Sequence, residues 1–386
     1  MTDDLSDVAV VGGGPAGLVA ALLARSHGVS VTLVAPKTPP RDERTVAMLG
    51  ASVDILKQTG IWPAVESKAA PLRTMRIVDA TRRLIRAPLV EFHAYEVERE
   101  AFGYNIPNAV LIAALDEAID QAGIERVTGF ASEIQPEDDA VTVVTADGAR
   151  IRSKLLGAAD GRRSKARDAA GLTVRSWSYP QAALVVNIAH SRPHDDVSTE
   201  FHTETGPFTI VPMPGLHSAI VCVESPTEAE RLSKLDDEAL AAEFERRSRS
   251  IVGKITIVGS RQVFPLSGQT ARHFAARRIA LIGEAAHVFP PIGAQGLNLG
   301  LRDAAAFATA VGDHRDDPGS ADALAAYDKA RAGDILSRTT AVDALNRTLL
   351  TDFLPVQAMR GIGLYAIDRL PKLKRLVMRQ GLTPHL

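Results

Sequence analysis

The residues best suited to chemistry fall in three short stretches of the chain. In the first, Gly12, Gly14 and Gly17 stand at Gly-x-Gly-x-x-Gly spacing, with Pro15 and Ala16 between the last two. An apolar run, Val8–Val11, precedes them, and a stretch rich in Ala and Leu, Leu18–Ser26, follows. Between a strand and a helix, the first glycine permits a tight turn and the second lets a diphosphate reach the backbone. The third lets the helix pack on the strand. Unpaired N–H groups at the helix start, with the helix dipole, then face the diphosphate. A glycine turn needed only for packing is the competing reading, and the strand–helix setting favours the dinucleotide.

An acid is expected after the second strand, Val31–Val34, to hold the adenosine ribose. The chain has Ala35 there, then Pro36 and Lys37. Asp42 and Glu43 stand further on as substitutes, while Lys37 and Arg41 leave open a 2′-phosphate and hence NADP. The second stretch, Asp160-Gly161-Arg162-Arg163-Ser164-Lys165-Ala166-Arg167, follows the strand Ile151–Ala159. It reads as a turn with a serine that caps the next helix, a second edge favourable to anions. On spacing alone, a plain turn with a basic helix start is the commoner explanation. The third stretch is Gly283-Glu284-Ala285-Ala286-His287, then Pro290, Pro291, Gly293, Gly296, Leu297, Asn298 and Asp303. A strand delivers Glu284 to its carboxyl end, where open α/β sheets bind ligands. A helix starting near Gly296–Asn298 stabilises negative charge on a ligand's ring.

The elements that position these stretches alternate strand and helix at first, with a helix at Ile106–Ala122 and strands at Ala140–Thr145 and Ile151–Ala159. From Ser176 to Pro265 the pattern changes to extended segments broken by Pro and Gly, read as an inserted antiparallel sheet with one helix near Asp236–Ser248. Apolar Phe201, Phe208, Ile210 and Val211 are expected to cover the ligand's ring. The strand Arg278–Ile282, the helix Gly296–Val311 and a mostly helical remainder from Ala321 complete the chain.

Composition narrows the class. Lys plus Arg number 44 and Asp plus Glu 46, a net charge of −2 that argues against a nucleic-acid partner. The lone Cys222 excludes an intramolecular disulfide, and no metal-ligand or Ser–His–Asp constellation is apparent. Asp3 and Asp4 stand where a signal peptide carries positive charge, so a cytoplasmic location is expected. The tail Lys372–Arg379 mixes four basic residues with Leu373, Leu376 and Val377. Residues 355–386 are therefore read as a candidate for peripheral contact with the inner face of a membrane, against a helix packed on the body.

Together the three stretches resemble the flavin-dependent aromatic hydroxylases, the single-component class that includes para-hydroxybenzoate hydroxylase. Asp160, Gly161, Ser164 and Arg167 match its D-G-x-x-S-x-x-R segment. Gly283, Ala285, Ala286, His287, Pro291, Gly293, Gly296 and Asn298 match its third motif, with Glu284 in place of aspartate. Arg44–Ala47, Phe102–Asn108, Pro290–Asp303 and Met378–Gly381 look most like the ubiquinone-biosynthesis hydroxylases.

The resemblance implies an α/β fold: a Rossmann-like FAD-binding domain from residues 1–71, 99–174 and 266–320, an interleaved antiparallel-sheet substrate domain from 72–98 and 175–265, and a helical C-terminal region from 321–386. It implies FAD, with electrons from NAD(P)H or a partner reductase. The implied reaction hydroxylates an aromatic ring with O₂ through a flavin hydroperoxide, the substrate being a polyprenylated phenol or quinol. The implied cofactor contacts are Gly12, Gly14, Pro15, Ala16, Gly17, Ala35, Arg44, Asp160, Glu284, Gly293, Gly296, Leu297 and Asn298. His202, Pro290 and Pro291 are pocket candidates, and His287 is read as structural. The departures at Ala35 and Glu284 imply weaker FAD retention. Alternatives are a hydroxylase of a small soluble aromatic compound and a non-catalytic subunit working with other quinone-biosynthesis proteins.

Overall fold

The computed structural model describes residues 5–36, 43–82, 86–290, 294–350, 363, 365 and 369–382. Val8, Ala9 and Val10 are wholly buried, as an apolar run without alternation requires of a central parallel strand. Their strand, Ser6–Val11, pairs in parallel with Val31–Val34 on one side and Arg150–Ala158 on the other. The sheet continues in parallel to Ile279–Leu281 beyond the latter and to Glu125–Val127 beyond the former. Three distant stretches of sequence thus bring their carboxyl ends to one edge. The helix Pro15–Ser26 starts three residues earlier than its apolar pattern indicates, because Pro15 suits a first-turn position.

A second, eight-stranded sheet is almost wholly antiparallel. Its two longest strands, Val174–His190 and Ile255–Ala271, run 17 residues each and pair along most of their length. The sequence concealed Ile255–Ala271, since Gly259 and Pro265 read as breaks. Register shifts in the ladder accommodate them. One face of this sheet packs on the helices Pro226–Ser233 and Asp237–Arg247. Phe201, Phe208 and Ile210 belong to that face: they join Leu232, Leu240 and Phe244, with the Phe208 and Phe244 rings 5.6 Å apart. The expectation that they cover a ring is therefore corrected. Strand side chains alternate, so Thr209 and Val211 face the other way.

Three short strands, Thr45–Leu49, Ala70–Pro71 and Gly103–Pro107, form a third sheet between the two large ones. Asn105 Nδ2 donates to the Pro212 carbonyl at 2.8 Å, tying it to the second sheet. The helices Gln295–Asp313 and Ala321–Leu350 close the fold, and no helix among the described residues is long and apolar enough to cross a membrane. The helix Pro371–Leu382 docks back on the body. Met378 is buried with Val90, Phe92, Ala94 and Phe102, and Lys374 Nζ lies 2.8 Å from Glu96 Oε1.

Candidate dinucleotide site

The site grows from the turn after Ser6–Val11. Gly12 has φ +124°, and a Cβ there would lie 2.0 Å from the Ala159 carbonyl oxygen. A Cβ on Gly17 would lie 2.2 Å from the Gly12 carbonyl oxygen. These two glycines are dictated by packing between turn, helix and neighbouring strand. Gly14 differs: a Cβ there would meet nothing within 4 Å. It caps the helix Pro15–Ser26 without a side chain, so the helix start faces open space.

That space is a cavity of about 850 Å³. Gly12, Gly14 and Pro15 form one wall, and Asp160 with Gly161 and Arg163 forms another. Arg44 and Gln262 close the side next to the second sheet. Asp160 Oδ2 accepts from the Ala166 N–H at 3.1 Å, while its Oδ1 is buried and meets no donor among the described residues. Leaving such an acceptor unsatisfied costs about 1–3 kcal/mol. A ligand hydroxyl on the cavity side removes that cost. The open cradle at Gly14, the bare carboxylate oxygen and the cavity's size fit a dinucleotide carrying ribose or ribityl hydroxyls.

Ala35 ends the second strand with its N–H on the Val127 carbonyl and its own carbonyl on the Gly129 N–H. It is buried, and the cavity wall runs through its neighbours Val34 and Pro36. Glu43 is engaged with the second sheet: its Oε2 accepts from Ser260 N and Oγ at 2.7 and 2.9 Å. Lys37, Arg41, Asp42, Pro291 and Gly293 lie outside the described residues.

Ala16 packs behind the cradle, where Cβ atoms on Gly283 or Gly300 would come within 3.4 and 3.3 Å of its methyl. Glu284 is exposed in the one-turn helix Gly283–Ala285, off the wall of the large cavity. Pro290 is buried, Leu297 half-buried and Gly296 exposed. The Asn298 amide is fully occupied: Oδ1 accepts from Leu49 N–H, and Nδ2 donates to the Ala47 and Ala294 carbonyls. It fastens the start of the helix Gln295–Asp313 to the strand Thr45–Leu49, which leaves backbone rather than side chain to meet a ligand. His202 is buried on the second sheet and His217 is exposed.

Sequence reasoning quoted Asp303 but missed what it does. It is wholly buried, accepting from Gly283 N–H at 2.9 Å, His287 Nε2 at 2.6 Å and Arg331 Nε at 2.7 Å. Burial alone raises its pKa, but His287, Arg331 and these hydrogen bonds outweigh burial and hold it below the ordinary carboxylate value. Arg331 also meets Asp334, which binds Arg302, and Arg338 reaches Gln295. Also missed were Asn108, Phe130, Lys165 and Gln262 on the cavity wall. No periodicity marks them, because loops and unlike elements contribute them singly.

A sheet with glycine-cradled cavity at its carboxyl edge, joined to a large antiparallel sheet, defines an FAD-binding protein of the aromatic monooxygenase fold. The crystal structure of p-nitrophenol 4-monooxygenase from Pseudomonas putida superposes with a TM-score of 0.79 at 20% identity, covering 99% of each chain. Residues 5–337 match the family described as FAD binding domain, and the chain belongs to that family. It is 32% identical to ubiquinone hydroxylase UbiL of Rhodospirillum rubrum, over 98% of this chain and 90% of that one. With 3-demethoxyubiquinol 3-hydroxylase of Escherichia coli it shares 29% identity, over 99% and 100%.

Proposed function

We propose that this FAD-dependent monooxygenase hydroxylates the ring of a polyprenylated phenol or quinol on the way to ubiquinone. The observation that carries the reading is the junction of the cofactor cavity with the second sheet. Arg44 and Gln262 belong both to the large cavity and to a smaller recess beside Val185 and Asn187 of the strand Val174–His190. The recess itself, about 10 Å³, admits no ring; what supports the reading is that the cofactor cavity reaches the second sheet at Gln262. The full-length similarity to two ubiquinone-pathway hydroxylases supplies the substrate class.

FAD supplies the activation of O₂, a step no side chain performs. Gly12, Gly14, Pro15 and the start of the helix Pro15–Ser26 would hold its diphosphate, and Asp160 Oδ1 would take a hydroxyl. Backbone N–H groups at Gly296–Asn298, in the helix start held by the Asn298 amide, would be the chain's donors toward negative charge on its ring. Electrons come from NAD(P)H or a partner reductase. Exposed Leu370, Leu376, Arg369, Lys372 and Arg375 form a face suited to an anionic membrane, where a substrate with a prenyl tail resides.

Deletion of the gene, followed by mass identification of accumulated quinone precursors, tests the reading. Accumulation of a prenylated precursor lacking one ring hydroxyl is expected, and restoration requires a chain able to bind FAD. An unchanged quinone profile overturns the substrate assignment. A purified chain that neither retains nor rebinds FAD favours a non-catalytic subunit.

A further inference from the structure

The parallel sheet ends at the edge strand Glu125–Val127, which pairs with Val31–Val34. Ligands of open α/β sheets bind beyond the carboxyl ends of such strands. Gly129 turns the chain there with φ +147°, a conformation that favours glycine, and Phe130 follows. The backbone around Phe130 is held from three sides. Gly129 N–H donates to the Ala35 carbonyl at 3.3 Å, and the Phe130 carbonyl accepts from Ala146 N–H at 3.0 Å. Lys165 Nζ donates to the Ala131 and Ser132 carbonyls, each at 3.2 Å.

On this fixed backbone Phe130 is nevertheless 69% exposed, and it lines the cofactor cavity together with Gly14 and Pro36. A single exposed aromatic ring is ordinary on a protein surface. One held beside a dinucleotide cavity is a surface on which a base can stack, because every base has a flat π-face.

The neighbouring strand end gives this ring its importance. A dinucleotide fold ordinarily carries, after its second strand, an acid that binds the adenosine ribose. Ala35 stands there with a buried methyl, its N–H on the Val127 carbonyl and its carbonyl on Gly129 N–H. Position 35 thus offers a ribose hydroxyl no side-chain acceptor. The residue next to its hydrogen-bond partner is the aromatic ring on the cavity wall.

We propose that Phe130 is the platform on which the adenine of FAD stacks, and that this contact replaces the grip on ribose that an acid at position 35 provides in other dinucleotide folds. The proposal deepens the FAD assignment above and rests on it. Stacking engages the face of the base and is indifferent to the 2′ position of the sugar. An acid that accepts from the ribose hydroxyls is not. This chain therefore selects its cofactor by base and diphosphate, and binds ribose and 2′-deoxyribose forms alike.

The test titrates the full chain, after removal of FAD, with FAD, FMN, ADP and 2′-deoxy-ADP in a calorimeter. FMN carries the flavin ring and one phosphate but no adenosine. In wild type, ADP and 2′-deoxy-ADP bind within about twofold of each other. Phe130→Ala weakens FAD and ADP by about tenfold and leaves FMN unchanged. Phe130→Leu, which keeps apolar bulk without a flat face, does the same. Phe130→Trp keeps the affinity for ADP, and its added indole emission is quenched as ADP binds. Thermal melting checks that each variant folds; where one does not, the other two decide. If Phe130→Ala and Phe130→Leu bind ADP as wild type does, the ring is not the platform. If both lose FMN as strongly as ADP, Phe130 acts through the fold and the proposal fails as well. A wild type that binds 2′-deoxy-ADP tenfold or more weakly than ADP holds its ribose by an acceptor, which overturns the replacement of the acid. A wild type that binds neither FAD nor ADP overturns the FAD assignment beneath it.

Discussion

At the scale of single residues, the glycine triplet divides into two jobs. Gly12 and Gly17 permit a close packing of turn, helix and strand, whereas only Gly14 leaves a vacancy that a ligand can enter. Gly12→Ala is therefore expected to destabilise the fold by about 2–4 kcal/mol, from a collision with Ala159 and a positive φ. The shift in denaturation midpoint measures it. Asp160 behaves oppositely. Its Oδ1, which meets no donor among the described residues, is a cost to the empty protein and an asset to the loaded one. Asp160→Ala should lower FAD affinity about tenfold, by fluorescence titration, with little loss of apo stability. A variant that keeps its FAD affinity would show that the carboxylate serves only the turn. Cys222 is legible as inert: burial pushes its thiol up to about 12, beyond use as a nucleophile or ligand.

At the scale of elements, one helix governs the third motif. Ala321–Leu350 sends Arg331 to Asp303, which holds Gly283 and His287, and sends Arg338 to Gln295 at the far side of the same segment. Removing one partner of a buried pair leaves a charge uncompensated, at about 3–5 kcal/mol. Arg331→Leu should show that loss, and should weaken FAD retention without touching the cavity wall. The pair also makes an acid signature. Because the folded Asp303 pKa lies below its ordinary 3.8, its contribution is fully present above that value. It is lost as pH falls through the depressed folded value. Melting temperature should decline below pH 4 in wild type, and less steeply in Asp303→Asn; equal slopes would remove Asp303 as the source.

Legibility in the sequence follows the same physics. The strands Ser6–Val11 and Val31–Val34 were readable because an unbroken apolar run marks a strand buried on both faces, and the helix Gln295–Asp313 because its amphipathicity leaves a period in the residues themselves. Ile255–Ala271 was not, since its neighbours in the sheet rather than its own pattern keep it extended. The aromatic residues Phe201 and Phe208 were assigned to the wrong face, because alternation reveals two faces without saying which one the helices will cover.

At the scale of the molecule, the net charge of −2 hides an uneven distribution. Residues 369–382 hold five basic residues and no acid. Met378 and Lys374 anchor this helix to the body, so its exposed Leu376 and Arg375 are presented on a fixed surface. Docking and membrane contact are thus compatible, and the two readings of the tail need not compete. Sedimentation with phosphatidylglycerol vesicles should fall about tenfold when Lys372 and Arg375 are both changed to Glu, with FAD content unchanged. Equal sedimentation, or none by the intact chain, would remove the membrane surface.

The sequence by itself determined a dinucleotide site, because a diphosphate cradle depends on local spacing: glycines at fixed offsets between a strand and a helix. It also excluded an intramolecular disulfide, through a single cysteine. Only the tertiary structure decided what the distant residues do. Asp303 meets Arg331, Asn298 meets the strand Thr45–Leu49, and Glu200 shares a face with the cavity-lining Gln262. These partners are separated along the chain by many residues, and no local period encodes a meeting that depends on how sheets stack and which face each strand turns inward.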